Sequence, residues 1–135
     1  VQIAGESEST GIEASVDWQL AERFSVGGFV SQLDAEDSQG ARLPYRPELT
    51  MQLNARYNDG DSNWMLIARH TADRVDEFGS ALSDYTVMDA TFSRKVIDSI
   101  SLSVRAENLT NQDYTDIAGY RSPRRALYVG VKLAI

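Results

Sequence analysis

The chain has 135 residues, 42% of them hydrophobic, and a formal net charge of −7. That length suits one domain, and the acidic balance argues against nucleic acid as a partner, since such binding rests on neutralising phosphates. With no cysteine, disulfides and thiol chemistry are excluded. No run of about 18 apolar residues offers a transmembrane helix, which leaves a membrane barrel open because its strands give a much weaker hydropathy signal. The chain begins at Val1, without Met and without a charged-then-apolar leader, so an exported protein would here be processed or be a piece of something longer.

Residues 1–20 read as a long strand with a polar middle, in which Ile12, Ala14, Val16 and Trp18 alternate with Glu13, Ser15, Asp17 and Gln19. Such alternation puts one set of side chains on each face of a strand. Ala21, Glu22 and Arg23 connect to a return strand over 24–33, where Gly27-Gly28 predicts a bend or a close backbone approach. A polar loop over 34–43 ends at Pro44 and Pro47. Residues 49–57 are the cleanest internal strand, with Met51, Leu53, Ala55 and Tyr57 on one face and Thr50, Gln52, Asn54 and Arg56 on the other. A turn over 58–62, centred on Asp59-Gly60, leads to a strand over 63–74. There Trp64, Leu66 and Ala68 oppose Met65, Ile67 and Arg69, so both faces start apolar and either could be the outside.

A second polar loop over 73–84 precedes a strand over 85–96, with Met88, Ala90 and Phe92 against Asp89, Thr91 and Ser93. After a tight turn at 97–99, residues 100–107 rise again, with Ile100, Leu102, Val104 and Ala106 opposite Ser101, Ser103, Arg105 and Glu107. A polar segment runs to Arg125. The stretch 127–135 then alternates Leu127, Val129, Val131, Leu133 and Ile135 with Tyr128, Gly130, Lys132 and Ala134.

This gives about seven strands and no trustworthy helix, with connections of about three to five residues after strands one, three and five, and roughly seven to ten after two, four and six. Short turns on one side and long loops on the other match outer-membrane barrels, whose short turns face the periplasm. The expected fold class is all-β: antiparallel, up-and-down transmembrane β-barrel strands. Seven strands in such a meander cannot close antiparallel on themselves, and bacterial single-chain barrels have even strand numbers. An open sheet would leave two unpaired edges in lipid. Either the count is one short or the chain is part of a larger barrel.

Several motifs carry a family resemblance. Residues 104–114 read VRAENLTNQDY, followed by Gly119-Tyr120, Pro123-Arg124-Arg125 and a closing strand with Tyr128 and Gly130. Gly11-Ile12-Glu13 opens the first alternating strand, and Leu33-Asp34-Ala35-Glu36 leads through a polar loop to Leu43-Pro44-Tyr45-Arg46-Pro47. In this order they resemble the C-terminal end of TonB-dependent outer-membrane receptors, over nearly the whole chain. The resemblance implies that residues 1–135 are a C-terminal segment of the receptor barrel, the larger-barrel option above, with no plug domain present. It also implies an assembly signal at Tyr128, Gly130, Leu133 and Ile135, read by the barrel-insertion machinery; Ile135 stands where the family's usual final aromatic would be. The implied activity is uptake of a scarce, bulky nutrient such as a metal–siderophore complex or cobalamin. Its energy would come from the TonB complex acting on a plug outside this chain, with no catalytic residue and no cofactor.

Arg56, Arg69, Asp89, Arg105 and Glu107 form an expected lumen-facing polar set, which a polar lumen needs whatever it transports. Trp18, Phe24, Tyr57, Trp64, Phe92 and Tyr128, near expected strand ends, suit the two interfacial girdles of a barrel in outer-membrane lipid. His70, the one histidine, has no Gly-x-Ser-x-Gly elbow near it and reads as incidental. The acidic clusters Glu6/Glu8 and Asp34/Glu36/Asp37 lack EF-hand spacing and read as solvated loops. Asn108-Leu109-Thr110 matches a glycosylation triplet but reads as a turn or strand end, and Pro123-Arg124-Arg125 as a loop exit. Two other readings of the whole chain stay open: a self-contained small outer-membrane barrel acting as an adhesin or structural element, and a soluble β-sandwich or lipocalin-like binder with the apolar rows as its core.

Overall fold

The computed structural model describes residues 6–134. In chain order its strands are β1 (Ser7–Ala21), β2 (Phe24–Asp37), β3 (Leu49–Asn58), β4 (Ser62–Ala72), β5 (Arg74–Val75), β6 (Ala81–Leu82), β7 (Tyr85–Ile97), β8 (Ile100–Glu107) and β9 (Ala126–Leu133). β5 and β6 make a small hairpin of their own, and the other seven form one antiparallel sheet in the order β1-β2-β3-β4-β7-β8-β9. The seven-strand meander expected from periodicity is present. The extra hairpin sits inside the expected loop over 73–84, because two-residue strands carry no periodicity to read.

Connections at one end of the sheet are 22–23, 59–61 and 98–99, and those at the other are 38–48, 73–84 and 108–125. The contrast is sharper than expected. The last loop, 108–125, is far longer than a seven-to-ten-residue link, and it coincides with the polar segment read between residue 107 and the last strand. β2 also runs past its expected end at Leu33. Asp34 to Asp37 pair with Thr10 to Ser7, and the following loop folds back on them, with Leu43 N donating to Ala35 O at 2.8 Å.

Register sorts every side chain to a face. Directly opposed residues on antiparallel strands share one, so the chain of pairs Val16–Gly28–Leu53–Ala68–Met88 lies on a single side. The pairs Phe92–Val104–Val129 and Leu102–Val131 continue that side to the last strand. This settles β4: Trp64, Leu66 and Ala68 belong with the apolar rows, while Met65, Ile67 and Arg69 lie on the other face.

The apolar rows are uncovered. Ile12 is 77% exposed, Leu53 67% and Val129 72%. The buried apolar residues among those described are Ala35, Leu43, Ala72, Val75 and Val87, all at the long-loop end. Burying one large apolar side chain is worth about 1.5–3 kcal/mol, so rows this extensive need an apolar solvent. A soluble sandwich would have covered them.

Aromatic residues mark one border of that face. Trp18, Phe24, Tyr57, Trp64 and Phe92 all lie on the apolar side near the short turns, Phe24 paired with Tyr57 and Tyr57 with Trp64. The Trp64 and Phe92 rings stack with centroids 4.1 Å apart. Amphipathic rings at that level suit a membrane interface. Tyr128 departs from the expected girdle: it pairs with Arg105 on the polar face, where the guanidinium sits 4.6 Å above its ring.

The glycine pair does two different things. A Cβ on Gly27 would lie 2.6 Å from both Asp17 Oδ1 and Asn54 Nδ2 on the polar face. The atoms that crowd Gly27 are side chains laid across it, and not the close backbone approach expected from sequence. On the apolar face a Cβ at Gly28 would meet its nearest neighbour, Leu53, at an ordinary 3.4 Å. The turn after β3 is closed by its own side chains: Asn58 Oδ1 accepts from Gly60 N at 2.8 Å, and Asp59 Oδ1 from Ser62 N at 2.7 Å. The Ser62 N–H holds the Asp59 carboxyl below the usual carboxylate range.

Candidate functional site

The polar face is a wall of short hydroxyl and amide side chains studded with charge. Arg56, Arg69, Asp89, Arg105 and Glu107 all fall on it by register, opposite the apolar rows. Arg69 and Asp89 form an ion pair through Nη2 and Oδ2, and Arg105 Nε lies 3.3 Å from Glu107 Oε1. Arg56 stands apart from both pairs, between Ser25 and Met65. The wall is not uniformly polar, since Phe29, Met65, Ile67 and Val87 share it.

Asp89 also ties the wall to the last long loop. Its second carboxylate oxygen accepts from Asn108 N at 2.8 Å. Asn108 is 3% exposed and has a φ of 50°, in the left-handed region that asparagine tolerates better than most residues. Its side chain spans the loop: Nδ2 donates to Gln112 O at 2.9 Å and Pro123 O at 3.1 Å, while Oδ1 accepts from Gln112 N at 2.8 Å. Next to it Arg124 pairs with Asp113 at 2.7 Å. Asn108, Gln112 and Asp113 of the motif at 104–114, with Pro123 and Arg124, therefore form the clamp that closes the loop over 108–125. Asn108-Leu109-Thr110 is a strand-end clamp with its amide already engaged, and Pro123-Arg124-Arg125 is the loop exit.

A second knot joins neighbouring loops. Arg74, 3% exposed, donates from Nη1 to Thr115 O at 3.0 Å and from Nη2 to Ser83 O at 2.9 Å. Its guanidinium lies 4.7 Å over the Tyr85 ring, which stacks on Tyr114 with centroids 4.3 Å apart. Tyr85 Oη donates to Asp116 Oδ1 at 2.6 Å. On the other side, Tyr45 N donates to Val75 O at 2.8 Å and Arg42 Nη2 to Asp73 O at 2.6 Å. The three long loops are thus laced into one structure. Sequence reasoning missed Arg74 and Tyr85, because a buried arginine in a polar-looking loop has no periodic signature.

Other candidates resolve plainly. His70 sits on the apolar side beside Met51, its Nδ1 2.9 Å from Thr86 Oγ1. Glu8 and Glu36 face each other across β1 and β2, and Asp37 Oδ1 caps its own turn through Gln39 N and Ala41 N. No group of three or more metal-ligating side chains is assembled among the described residues. Of the expected assembly positions, Tyr128 and Gly130 lie on the polar face, Leu133 lies with the apolar rows, and Ile135 is outside the described residues.

One apolar face, one polar face, short turns at one end and long laced loops at the other define a stretch of outer-membrane β-barrel wall. Residues 1–109 match the family model described as TonB dependent receptor-like, beta-barrel, and the chain belongs to that family. It is 28% identical, over 96% of its length, to the vitamin B12 transporter BtuB of Vibrio cholerae serotype O1, and it spans 22% of that relative. Among solved structures it superposes on the copper transporter OprC with a TM-score of 0.80 at 19% identity, covering 96% of this chain and 24% of that one. It superposes on the ferric-catecholate import receptor Fiu of E. coli K12 at 0.77 and 23% identity, covering 96% and 21%. Its relatives are transporters and receptors of the outer membrane and not enzymes.

Proposed function

We propose that this chain is a C-terminal segment of the barrel wall, outside the plug domain, of a receptor that takes up a scarce, bulky nutrient with energy delivered by the TonB complex. The observation that carries the reading is the seven-stranded open sheet with uncovered apolar rows on one face. Its outer strands β1 and β9 each pair on one side only among the described residues. Open strand edges are prohibitive in lipid, so further strands must complete the barrel. In that barrel Arg56, Arg69, Asp89, Arg105 and Glu107 face the lumen. A metal–siderophore complex or cobalamin is the favoured cargo class, supported by the likeness to a vitamin B12 transporter.

Uptake of labelled cobalamin and of ferric siderophores by cells carrying the full-length protein tests this. Accumulation of one of them should require both the receptor and an energised inner membrane. Accumulation unaffected by collapsing the proton gradient would contradict it.

We further infer that the last strand guides assembly, through backbone pairing of an exposed edge with the insertion machinery. Tyr128, Gly130, Leu133 and Ile135 are the positions concerned. Removing Leu133, Ala134 and Ile135 from the full-length receptor should strand it in the periplasm, whereas trimming residues 38–40 should not. Normal outer-membrane levels of the truncated protein would reject the signal.

A further inference from the structure

We propose that the polar wall carries an oxyanion-binding site centred on Arg56, for a carboxylate or phosphate group. Near the short turns the wall opens into a hollow of about 560 Å³, lined among others by Gln19, Ser25, Arg56, Asn63, Thr91 and Ser93. Register explains the hollow. Gln19, Ser25, Arg56, Met65 and Thr91 form one cross-strand row, and Asn63 and Ser93 sit opposite each other one step nearer the turns. Gln19 already donates its amide to Ala21 O, while Ser25, Asn63, Thr91 and Ser93 each end in a hydroxyl or an amide that can donate a hydrogen bond.

The charge is what distinguishes this place. The other two arginines of the wall are matched, Arg69 to Asp89 and Arg105 to Glu107. No carboxylate lies within 4.0 Å of the Arg56 guanidinium among the described residues. A guanidinium is a rigid fork of donors suited to two oxygens at once. Glu22 and Arg23 also line the hollow and offset each other in formal charge, so Arg56 leaves it net cationic, and with hydroxyls and amides around it the hollow matches an oxyanion in both charge and hydrogen-bonding capacity. Tyr57 and Trp64 at its border set it near the interfacial level of the wall. The site rests on the facing of the strands and not on which nutrient is carried.

The oxyanion could be a free solute or a carboxylate from another part of the same protein, and the full-length receptor in detergent separates the two. Inorganic phosphate is titrated against wild type and Arg56→Gln by phosphorus NMR. In parallel, Arg56→Lys is treated with a water-soluble carbodiimide, and cross-linked peptides are identified by mass spectrometry. Arg56 is exposed, so both variants should fold, which heat-modifiability on a gel verifies. Phosphate binding weakened about tenfold or more in Arg56→Gln, with no lysine cross-link, establishes a free-anion site. A cross-link from the introduced lysine to another peptide of the receptor establishes an internal carboxylate. No cross-link and no difference in phosphate binding overturns the proposal.

Discussion

Leu53→Arg in the full-length receptor should lower folded stability by about 2–4 kcal/mol, the cost of arginine near the bilayer midplane of a barrel. Asn54→Arg, one position along the same strand, should change it little. Leu53 lies mid-strand in β3 between Gly28 and Ala68, 67% exposed on the apolar face, with only lipid to receive a charge. Asn54 faces the other way, opposite Gly27, where Asp17 is close enough to receive a guanidinium. Denaturant titration of the two variants in detergent or bilayers reads the difference directly. Equal losses would mean that the faces are assigned wrongly, since nothing else separates two neighbours on one strand so sharply.

Asn108→Ala should loosen the base of the loop over 108–125 by about 2.5–5.5 kcal/mol. Three side-chain hydrogen bonds disappear, each worth roughly 0.5–1.5 kcal/mol net. An alanine held at a φ of 50° adds strain of about 1 kcal/mol. Asn108→Gly should recover the strain but not the bonds, and so fall between wild type and alanine. Hydrogen exchange at the Gln112 amide, which donates to Asn108 Oδ1, is the direct readout. Unchanged protection in both variants would show that the loop is held elsewhere. The knot around Arg74 is the place to look in that case, because it grips the same loop through Thr115 and Asp116.

How much of this was legible in the sequence follows from what each residue reports. Alternation in β3 and β8 reports its own periodicity, so their faces could be read without any neighbour. β4 could not be read alone, because Met65 and Ile67 make its polar face apolar for a stretch; only pairing with Tyr57, Ala55 and Leu53 assigns it. Tyr128 was misplaced for a related reason. An aromatic residue near a strand end fits a membrane girdle and a cation–π contact with Arg105 equally well until register decides. The loops were least legible, since Arg74, Tyr85 and Asn108 act through partners 4 to 41 residues away, several of them on other loops or strands. Resemblance to the receptor family located the Asn108 motif, but only the structure shows that it works as a clamp.

The central claim is that one face of this sheet meets lipid and the other meets water. The chain contains no cysteine, so single cysteines placed in turn at positions 50–56 of β3 can each carry a spin label with no background from these residues. In the full-length receptor reconstituted in bilayers, Met51, Leu53 and Ala55 should show high collision rates with oxygen and low rates with a water-soluble nickel chelate. Thr50, Gln52, Asn54 and Arg56 should show the opposite. An alternation with reversed phase, or nickel access at every position, would contradict the assignment of this chain as barrel wall.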